Sequence, residues 1–117
     1  MVLVLDDDPI IGELLSVVLG RAGFEPLTPS NPRDAIDVAS TRPDAVVAAI
    51  CDLQLGSTNG AELLGTLSRL APAMQAIVMS GHPESHIQAE LDRAGTEAIM
   101  FQKPFRPADM VAAITAP

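Results

Sequence analysis

Apolar and polar positions alternate along the chain in a way that is typical of strands followed by helices. The first apolar run, Val2 to Leu5, is short and rich in strand-favouring residues, and acidic residues follow it at once. Asp8-Pro9 has the composition of a helix start, since Asp is a good N-cap and proline suits the first helical position. Apolar residues then recur at helical spacing until Gly23, a residue that commonly ends helices.

The alternation of strand and helix patterns continues to the end of the chain. Further strands are predicted over 24–28, 44–51, 76–79 and 98–101, further helices over 32–42, 61–70, 84–94 and 108–115, and a loop over 56–60. Two prolines make 24–28 a weak strand that suits a sheet edge. The strand over 44–51 is apolar without a break, which is expected when both faces are buried. Short connections predict an α/β fold, a doubly wound (βα)5 parallel sheet with helices on both faces.

Length and composition limit the classes of protein that the chain resembles. Its 117 residues are near the usual size of one domain, so we expect a single domain over 1–117 and no output domain in this chain. No apolar run approaches the about 18 residues that span a bilayer, and no basic region precedes the first strand. We therefore expect no membrane insertion and no signal peptide. With one cysteine the chain forms no internal disulfide, and a cytoplasmic location is expected.

Charge argues against a nucleic-acid surface. The chain carries 15 acidic and 7 basic residues, a net charge of −8, and it has no Trp or Tyr for base stacking. Two features of the charge distribution matter more than the total. Asp6, Asp7 and Asp8 are consecutive, and Lys103 is the only lysine.

Polar side chains follow four of the five predicted strands at the edge where an open parallel sheet binds ligands. They are Asp6, Asp7 and Asp8 after the first strand, Asp52 after the third, Ser80 after the fourth and Lys103 after the fifth. Carboxylates brought together repel one another, and Mg²⁺ with oxygen ligands relieves that repulsion. A lysine and a hydroxyl suit phosphate oxygens, so the set favours phosphoryl transfer. Each residue alone is equally typical of a helix cap, a strand end or a turn.

Taken in order, these residues resemble a response-regulator receiver domain, and the resemblance covers essentially the whole chain. The matching pieces are Val2 to Pro9, Asp52 followed eight residues later by Gly60, Ser80-Gly81, and Lys103-Pro104-Phe105. The resemblance implies a flavodoxin-like five-stranded parallel sheet in the order 2-1-3-4-5.

The resemblance also implies a role for each matching residue. Asp52 would be the phosphoacceptor, and Mg²⁺ (or Mn²⁺) would be held by Asp6, Asp7, Asp52 and the backbone carbonyl of Gln54. Ser80 and Lys103 would bind the phosphoryl group, with Ser80 following it when the domain switches, and the Lys103-Pro104 bond would be cis. Gln54 and His82 stand where family members vary the lifetime of the phosphate.

Three positions depart from the family pattern. Gly56 stands where proline is usual, four residues after the phosphoacceptor, and Gly81 stands where alanine is common. Met100 occupies the position of the switch aromatic, three residues before the lysine, with Phe101 next to it. Either the adaptable methionine takes over the packing change or the aromatic coupling is absent. The departure bears on the output mechanism and leaves the phosphorylation chemistry in place.

The resemblance implies partners as well as chemistry. The phosphoryl donor would be a sensor histidine kinase or a histidine phosphotransfer protein, docking near Ile10, Ile11 and Leu14. The downstream target would use the fourth helix, fifth strand and fifth helix. The domain would not be an enzyme in the ordinary sense, since it would catalyse only its own phosphorylation and dephosphorylation. The sequence leaves open a stand-alone regulator, a phosphate shuttle or a receiver from a larger protein.

Two alternatives belong to other classes. One is a receiver-like interaction module that acts without phosphorylation. The other is a haloacid-dehalogenase-like phosphatase, suggested by Asp6-x-Asp8, although Ile10 stands where that class has Thr or Val.

His82 and His86 are a further pair at i, i+4 spacing. Pro83 lies between them and a zinc site needs more ligands, so the spacing alone does not predict one.

Overall fold

A computed structural model gives the structure of the chain and describes residues 1–115. The strands are β1 (Val2–Leu5), β2 (Pro26–Leu27), β3 (Ala48–Asp52), β4 (Gln54–Leu55), β5 (Thr58–Asn59), β6 (Gln75–Ser80) and β7 (Ile99–Gln102). The helices are α1 (Pro9–Arg21), α2 (Pro32–Thr41), α3 (Gly60–Leu70), α4 (Glu84–Ala94) and α5 (Pro107–Thr115), and a 3-10 turn spans Pro43–Ala45. No helix within 1–115 is long and apolar enough to span a bilayer.

The sheet has the predicted topology. Five strands pair in parallel in the order β2-β1-β3-β6-β7, while β4 and β5 form a separate antiparallel hairpin. Numbered among themselves, the sheet strands therefore stand in the order 2-1-3-4-5. In this register Leu5 of β1 pairs with Cys51, and Asp52 pairs with Met79 of β6. The carboxyl ends of β1, β3 and β6 consequently meet at one edge.

Helices cover both faces of the sheet. One face packs against α1 and α5. The buried side chains of the core between the sheet and these two helices are Val2, Val4, Leu15, Leu19, Ala48, Ile50, Ile77, Met79, Met110 and Ile114. The other face packs against α2, α3 and α4, and its buried strand residues include Leu3, Leu5, Ala49, Cys51, Ala76 and Val78. Burial of these apolar side chains is the main force that holds the three layers together.

The prediction of an apolar strand over 44–51, buried on both faces, is wrong at its start. Pro43 begins a 3-10 turn, β3 begins only at Ala48, and Val47 is 41% exposed. Proline has no N–H for a strand ladder and a fixed φ, so pairing starts beyond the turn. The predicted edge strand over 24–28 is likewise reduced to two residues, Pro26–Leu27.

The predicted loop between β3 and α3 contains a small hairpin. Gln54 pairs with Asn59, and Leu55 pairs with Thr58. At the tip, Gly56 has a φ of +56°, a conformation that glycine adopts without strain. Asn59 then caps α3, because its side chain accepts a hydrogen bond from the amide of Glu62 at 3.1 Å.

Gly60 lets the start of α3 lie directly against the end of β3. Its amide donates to the carbonyl of Leu53 at 2.7 Å. A Cβ built on Gly60 would overlap the main-chain carbonyl oxygen of Asp52. Position 60 therefore excludes any side chain, and the path of the backbone at Asp52 depends on it.

We predict that Gly60→Ala lowers the free energy of unfolding by about 2 to 3 kcal/mol, since the methyl group has to displace the backbone of Asp52. Urea-induced unfolding followed by far-UV circular dichroism measures this, because the chain has no Trp or Tyr for fluorescence.

Gly20→Ala is the matched control. Gly20 lies within α1, and a Cβ there meets nothing within 4 Å. Alanine should therefore leave stability unchanged or raise it by up to about 1 kcal/mol, as the better helix former. Equal stability of Gly60→Ala and the wild type would show that the α3–β3 approach does not require glycine.

Candidate functional site

The site lies at the carboxyl edge of the sheet, where three neighbouring strands end in polar residues. Asp6 follows β1, Asp52 is the last residue of β3, and Ser80 is the last residue of β6. Lys103 follows β7 directly, and its amide donates to the carbonyl of Ser80 at 2.7 Å. The structure thus brings together the four residues that the sequence placed at successive strand ends.

Lys103 connects two carboxylates. Its Nζ lies 2.9 Å from Asp6 Oδ2 and 2.8 Å from Asp52 Oδ2. The Asp6 side chain is only 1% exposed, whereas the Asp52 side chain is 18% exposed. Asp6 is therefore a buried charge that needs a partner, and Asp52 is the carboxylate of this pair that solvent or a substrate reaches more readily.

Asp52 and Asp6 stabilise the charged form of Lys103. Burial alone would lower the pKa of Lys103, but its hydrogen bonds with Asp52 and Asp6, and their negative charges, reverse this effect. The net result is a raised pKa, so the ammonium form is favoured. The Lys103-Pro104 peptide bond is cis, as the resemblance implies.

Asp7 points to a different partner. Its Oδ2 accepts a hydrogen bond of 2.7 Å from the amide of Gly56, at the tip of the β4–β5 hairpin. The amide of Gln54 contacts Asp52 Oδ1 at 3.2 Å. Two backbone N–H groups of the hairpin therefore compensate part of the negative charge that Asp7 and Asp52 bring to this edge.

Asp8 lies outside this group. Its Oδ1 accepts from the amide of Ile10 at 2.9 Å and caps α1, which confirms the predicted helix start. The Asp8 amide in turn donates to Asp6 Oδ1 at 2.7 Å, so both oxygens of the buried Asp6 carboxylate have a donor.

Three carboxylates do not converge on one point. Within residues 1–115 no group of three His, Cys, Asp or Glu side chains is placed to hold a metal ion. Asp6, Asp7 and Asp52 were expected to form one group, but they are divided. Lys103 bridges Asp6 and Asp52, whereas Asp7 accepts a hydrogen bond from Gly56. The possible metal ligands at this edge are nevertheless hard oxygen atoms. Two of these oxygens, one each from Asp6 and Asp52, already converge on one positive charge, the ammonium group of Lys103.

Ser80 and Gln54 are held by local hydrogen bonds. Ser80 is buried, and its hydroxyl oxygen accepts from the amide of His82 at 3.0 Å. Gln54 Nε2 donates to the carbonyl of Gly56 at 2.6 Å, so this side chain folds back on the hairpin. His82 is exposed at the surface next to Ser80.

Met100 and Phe101 lie on opposite faces of β7. Met100 is half-buried against the layer formed with α2, α3 and α4. Phe101 packs on the α1–α5 layer, where its ring meets Phe105 edge-on at 5.7 Å between centroids. Phe101 therefore does not fill the aromatic switch position that Met100 occupies.

Cys51 is a core residue. It is fully buried, and burial together with the nearby charges of Asp52, Asp6 and Asp7 raises the pKa of its thiol. The thiol consequently stays protonated beside the site.

A family model and individual relatives of known sequence point to the same protein family. A model of the response regulator receiver domain matches residues 2–115. The chain is 30% identical over 113 residues to the two-component response regulator PprB of Pseudomonas aeruginosa, covering 94% of this chain and 40% of the relative. It is 29% identical over 117 residues to the DNA-binding response regulator MtrA of Mycolicibacterium smegmatis, covering 98% and 49%. The chain thus spans less than half the length of these two relatives.

Solved structures share the fold. A CheY-like receiver domain protein from Methanospirillum hungatei superposes with a TM-score of 0.81 at 25% identity, covering 97% of this chain and 88% of the other. A response regulator from Burkholderia pseudomallei, solved with a phosphorylated aspartic acid, calcium and citrate, gives a TM-score of 0.81 at 23% identity, covering 98% and 66%.

We predict that Lys103→Met lowers the free energy of unfolding by about 2 to 4 kcal/mol at neutral pH in EDTA, because Asp6 becomes a buried charge without a cation. Adding Asp52→Asn to Lys103→Met should restore part of this loss by removing the repelling carboxylate, so the two changes are coupled by about 1 kcal/mol or more. Chemical unfolding of both single variants and the double variant measures the coupling.

Arg33→Met is the control, since Arg33 is an exposed cation of α2 and its loss should change stability by no more than about 0.5 kcal/mol. Strictly additive effects of Lys103→Met and Asp52→Asn would contradict the proposed charge balance.

Proposed function

The chain belongs to the response regulator receiver domain family, and we propose that its Asp52 accepts a phosphoryl group from a phosphohistidine donor. The observation that carries this proposal is the contact of Lys103 Nζ with both Asp52 and the buried Asp6. It places a fixed positive charge beside the more exposed carboxylate, where the charge of a transferred phosphoryl group would collect.

In the proposed reaction an oxygen of Asp52 attacks the phosphorus atom in line with the leaving imidazole. A P–O bond to Asp52 forms as the P–N bond of the phosphohistidine breaks, and the imidazole leaves with the electron pair of that bond. Lys103 exchanges part of its contact with Asp52 for the phosphoryl oxygens, while its contact with Asp6 keeps it in place. The chemistry is confined to phosphorylation and dephosphorylation of the domain itself.

We propose that Mg²⁺ or Mn²⁺ is held by Asp6, Asp7, Asp52 and the backbone carbonyl of Gln54. Their oxygen atoms are the hard donors that these ions prefer, and Mg²⁺ sites in proteins commonly use one or two carboxylates completed by water. A bound divalent ion would neutralise charge on the phosphoryl group. The neighbour from Burkholderia pseudomallei, which carries a phosphorylated aspartic acid, also contains calcium. Asp7 is exposed, and within residues 1–115 its carboxylate accepts a hydrogen bond from Gly56 alone, so it is the carboxylate that can turn to an ion at least cost.

An apolar cavity beside the site suits the phosphoryl donor. It has a volume of about 340 Å³, lies between α1 and the segment after β7, and includes Ile11, Leu14, Lys103 and Phe105 in its wall. Ile10 next to it is 74% exposed. We propose that a helix of a sensor histidine kinase or a histidine phosphotransfer protein docks here, in the cytoplasm, because apolar burial next to Lys103 would bring the donor histidine to Asp52.

Phosphorylation would shift the domain between two conformations. Ser80 would leave His82 and bond the phosphoryl group, and α4, β7 and α5 would present the changed surface to a downstream target. Met100 would adapt by changing rotamer, and Gln54 and His82 would tune the lifetime of the phosphate.

We propose that residues 1–117 form one receiver domain that does not itself bind nucleic acid, although curated relatives include DNA-binding regulators.

Phosphorylation of Asp52 is tested by incubating the protein with Mg²⁺ and a small phosphodonor and measuring its intact mass. We predict a single adduct of about 80 Da, one phosphoryl group, in the wild type. Asp52→Asn should abolish the adduct, and Lys103→Met or EDTA should slow its formation strongly.

Asp8→Asn is the matched control for this reaction. The asparagine keeps the helix cap and removes one neighbouring charge, so the adduct should form as in the wild type. An unmodified wild-type chain would favour the interaction module, while steady hydrolysis of unrelated phosphate esters would favour a phosphatase.

The proposed metal site is tested separately from phosphorylation. We predict that Asp7→Asn weakens Mg²⁺ binding by about tenfold or more, a loss of about 1.4 kcal/mol, since a charged ligand becomes neutral. Isothermal titration calorimetry measures the affinity, with Asp8→Asn as the control that retains it. Unchanged affinity in Asp7→Asn would remove Asp7 from the site.

A further inference from the structure

The start of α4 carries two imidazole rings that lie close together. The rings of His82 and His86 lie with their centroids 4.4 Å apart and their planes inclined by 41°. Both residues are exposed, and none of the ion pairs formed among residues 1–115 involves either ring. The two imidazoles lie close together on the open surface and therefore offer two neighbouring nitrogen donors to a ligand.

The backbone between the two histidines is fixed. Pro83 occupies the N-cap position of α4, and its backbone carbonyl accepts hydrogen bonds from the amides of His86 at 3.0 Å and Ile87 at 3.2 Å. Ile87 is fully buried, and the amide of His82 bonds to the buried Ser80. Pro83 therefore does not separate the two side chains: the first turn forms around it and holds both rings on one side.

We propose that His82 and His86 together bind a divalent transition-metal ion of the class of Cu²⁺, Ni²⁺ and Zn²⁺. Imidazole is a preferred ligand of these ions and a poor one for Mg²⁺. No third His, Cys, Asp or Glu joins the pair within residues 1–115, so water completes the coordination shell. The site is thus distinct in its chemistry from the carboxylate site of Asp6, Asp7 and Asp52.

Binding at this pair has a structural consequence for α4. The side chain of Pro83 makes no capping hydrogen bond, so the N–H groups of the first turn lack side-chain acceptors. An ion that joins His82, before the helix, to His86, in its first turn, holds that turn closed. Amide exchange at His86 and Ile87, whose N–H groups donate to Pro83, should slow when the ion is bound.

The composition of the chain makes the test sharp. It has only two histidines and one cysteine, and Cys51 is fully buried, so an imidazole signal from untagged protein reports on this pair alone. Untagged protein is titrated with Ni²⁺ and with Zn²⁺ by calorimetry in excess Mg²⁺, which is added to compete for the carboxylates of Asp6, Asp7 and Asp52. The imidazole NMR signals and amide exchange are followed in parallel.

We expect about one ion per chain, simultaneous changes in the signals of both histidines, and slower exchange at His86 and Ile87. His82→Gln and His86→Gln should each weaken binding by at least about tenfold. Mutation of a residue that merely hydrogen-bonds to a metal ligand already causes a loss of that size. Asp52→Asn should bind Ni²⁺ as the wild type does. Both histidines are exposed, so their variants should fold.

Equal Ni²⁺ affinity in the wild type and either histidine variant would overturn the proposal, and so would loss of binding in Asp52→Asn alone. Because the measurement uses no phosphodonor, its result is independent of the phosphorylation of Asp52.

Discussion

One ammonium group between two carboxylates holds the functional edge of this protein together. Lys103 contacts the carboxylate of Asp6, which follows β1, and that of Asp52, which ends β3. These residues are 97 and 51 positions from the lysine in sequence, so the contact depends on the order of the strands. A lysine suits the position because its compact charge can be shared between two oxygens and a third ligand. The planar fork of an arginine favours one bidentate partner.

The topology of the sheet was predictable because strand and helix patterns differ in period and because proline and glycine mark most of the boundaries. Placement of Asp6, Asp52, Ser80 and Lys103 at one edge followed from that topology, since parallel strands end together. The start of β3 could not be predicted from apolar residues alone. Val47 is as apolar as its neighbours, but it precedes the first paired residue and stays 41% exposed.

The orientation of Asp7 depends on a contact that no local pattern encodes. Its carboxylate bonds to the amide of Gly56, 49 residues away, at the tip of a hairpin that the sequence presented as a loop. Proline, the usual residue of the family at position 56, has no N–H to donate. The departure at Gly56 therefore adds a donor for Asp7 as well as flexibility, and any ion at Asp7 must compete with that hydrogen bond or share the carboxylate with it.

The faces of β7 bear on the role of Met100, because they keep Phe101 away from the position of the usual switch aromatic. Alternation along the strand directs Phe101 to the α1–α5 layer, where it packs on Phe105, and directs Met100 to the layer with α4. A single strand cannot bring Phe101 to the other face without a one-residue shift in register, which would reverse every side chain of β7. A packing change at the position of the usual switch aromatic would therefore involve the thioether of Met100. A methionine has three rotatable bonds and no rigid ring, so it would follow a movement of α4 in small steps rather than by one large rotation.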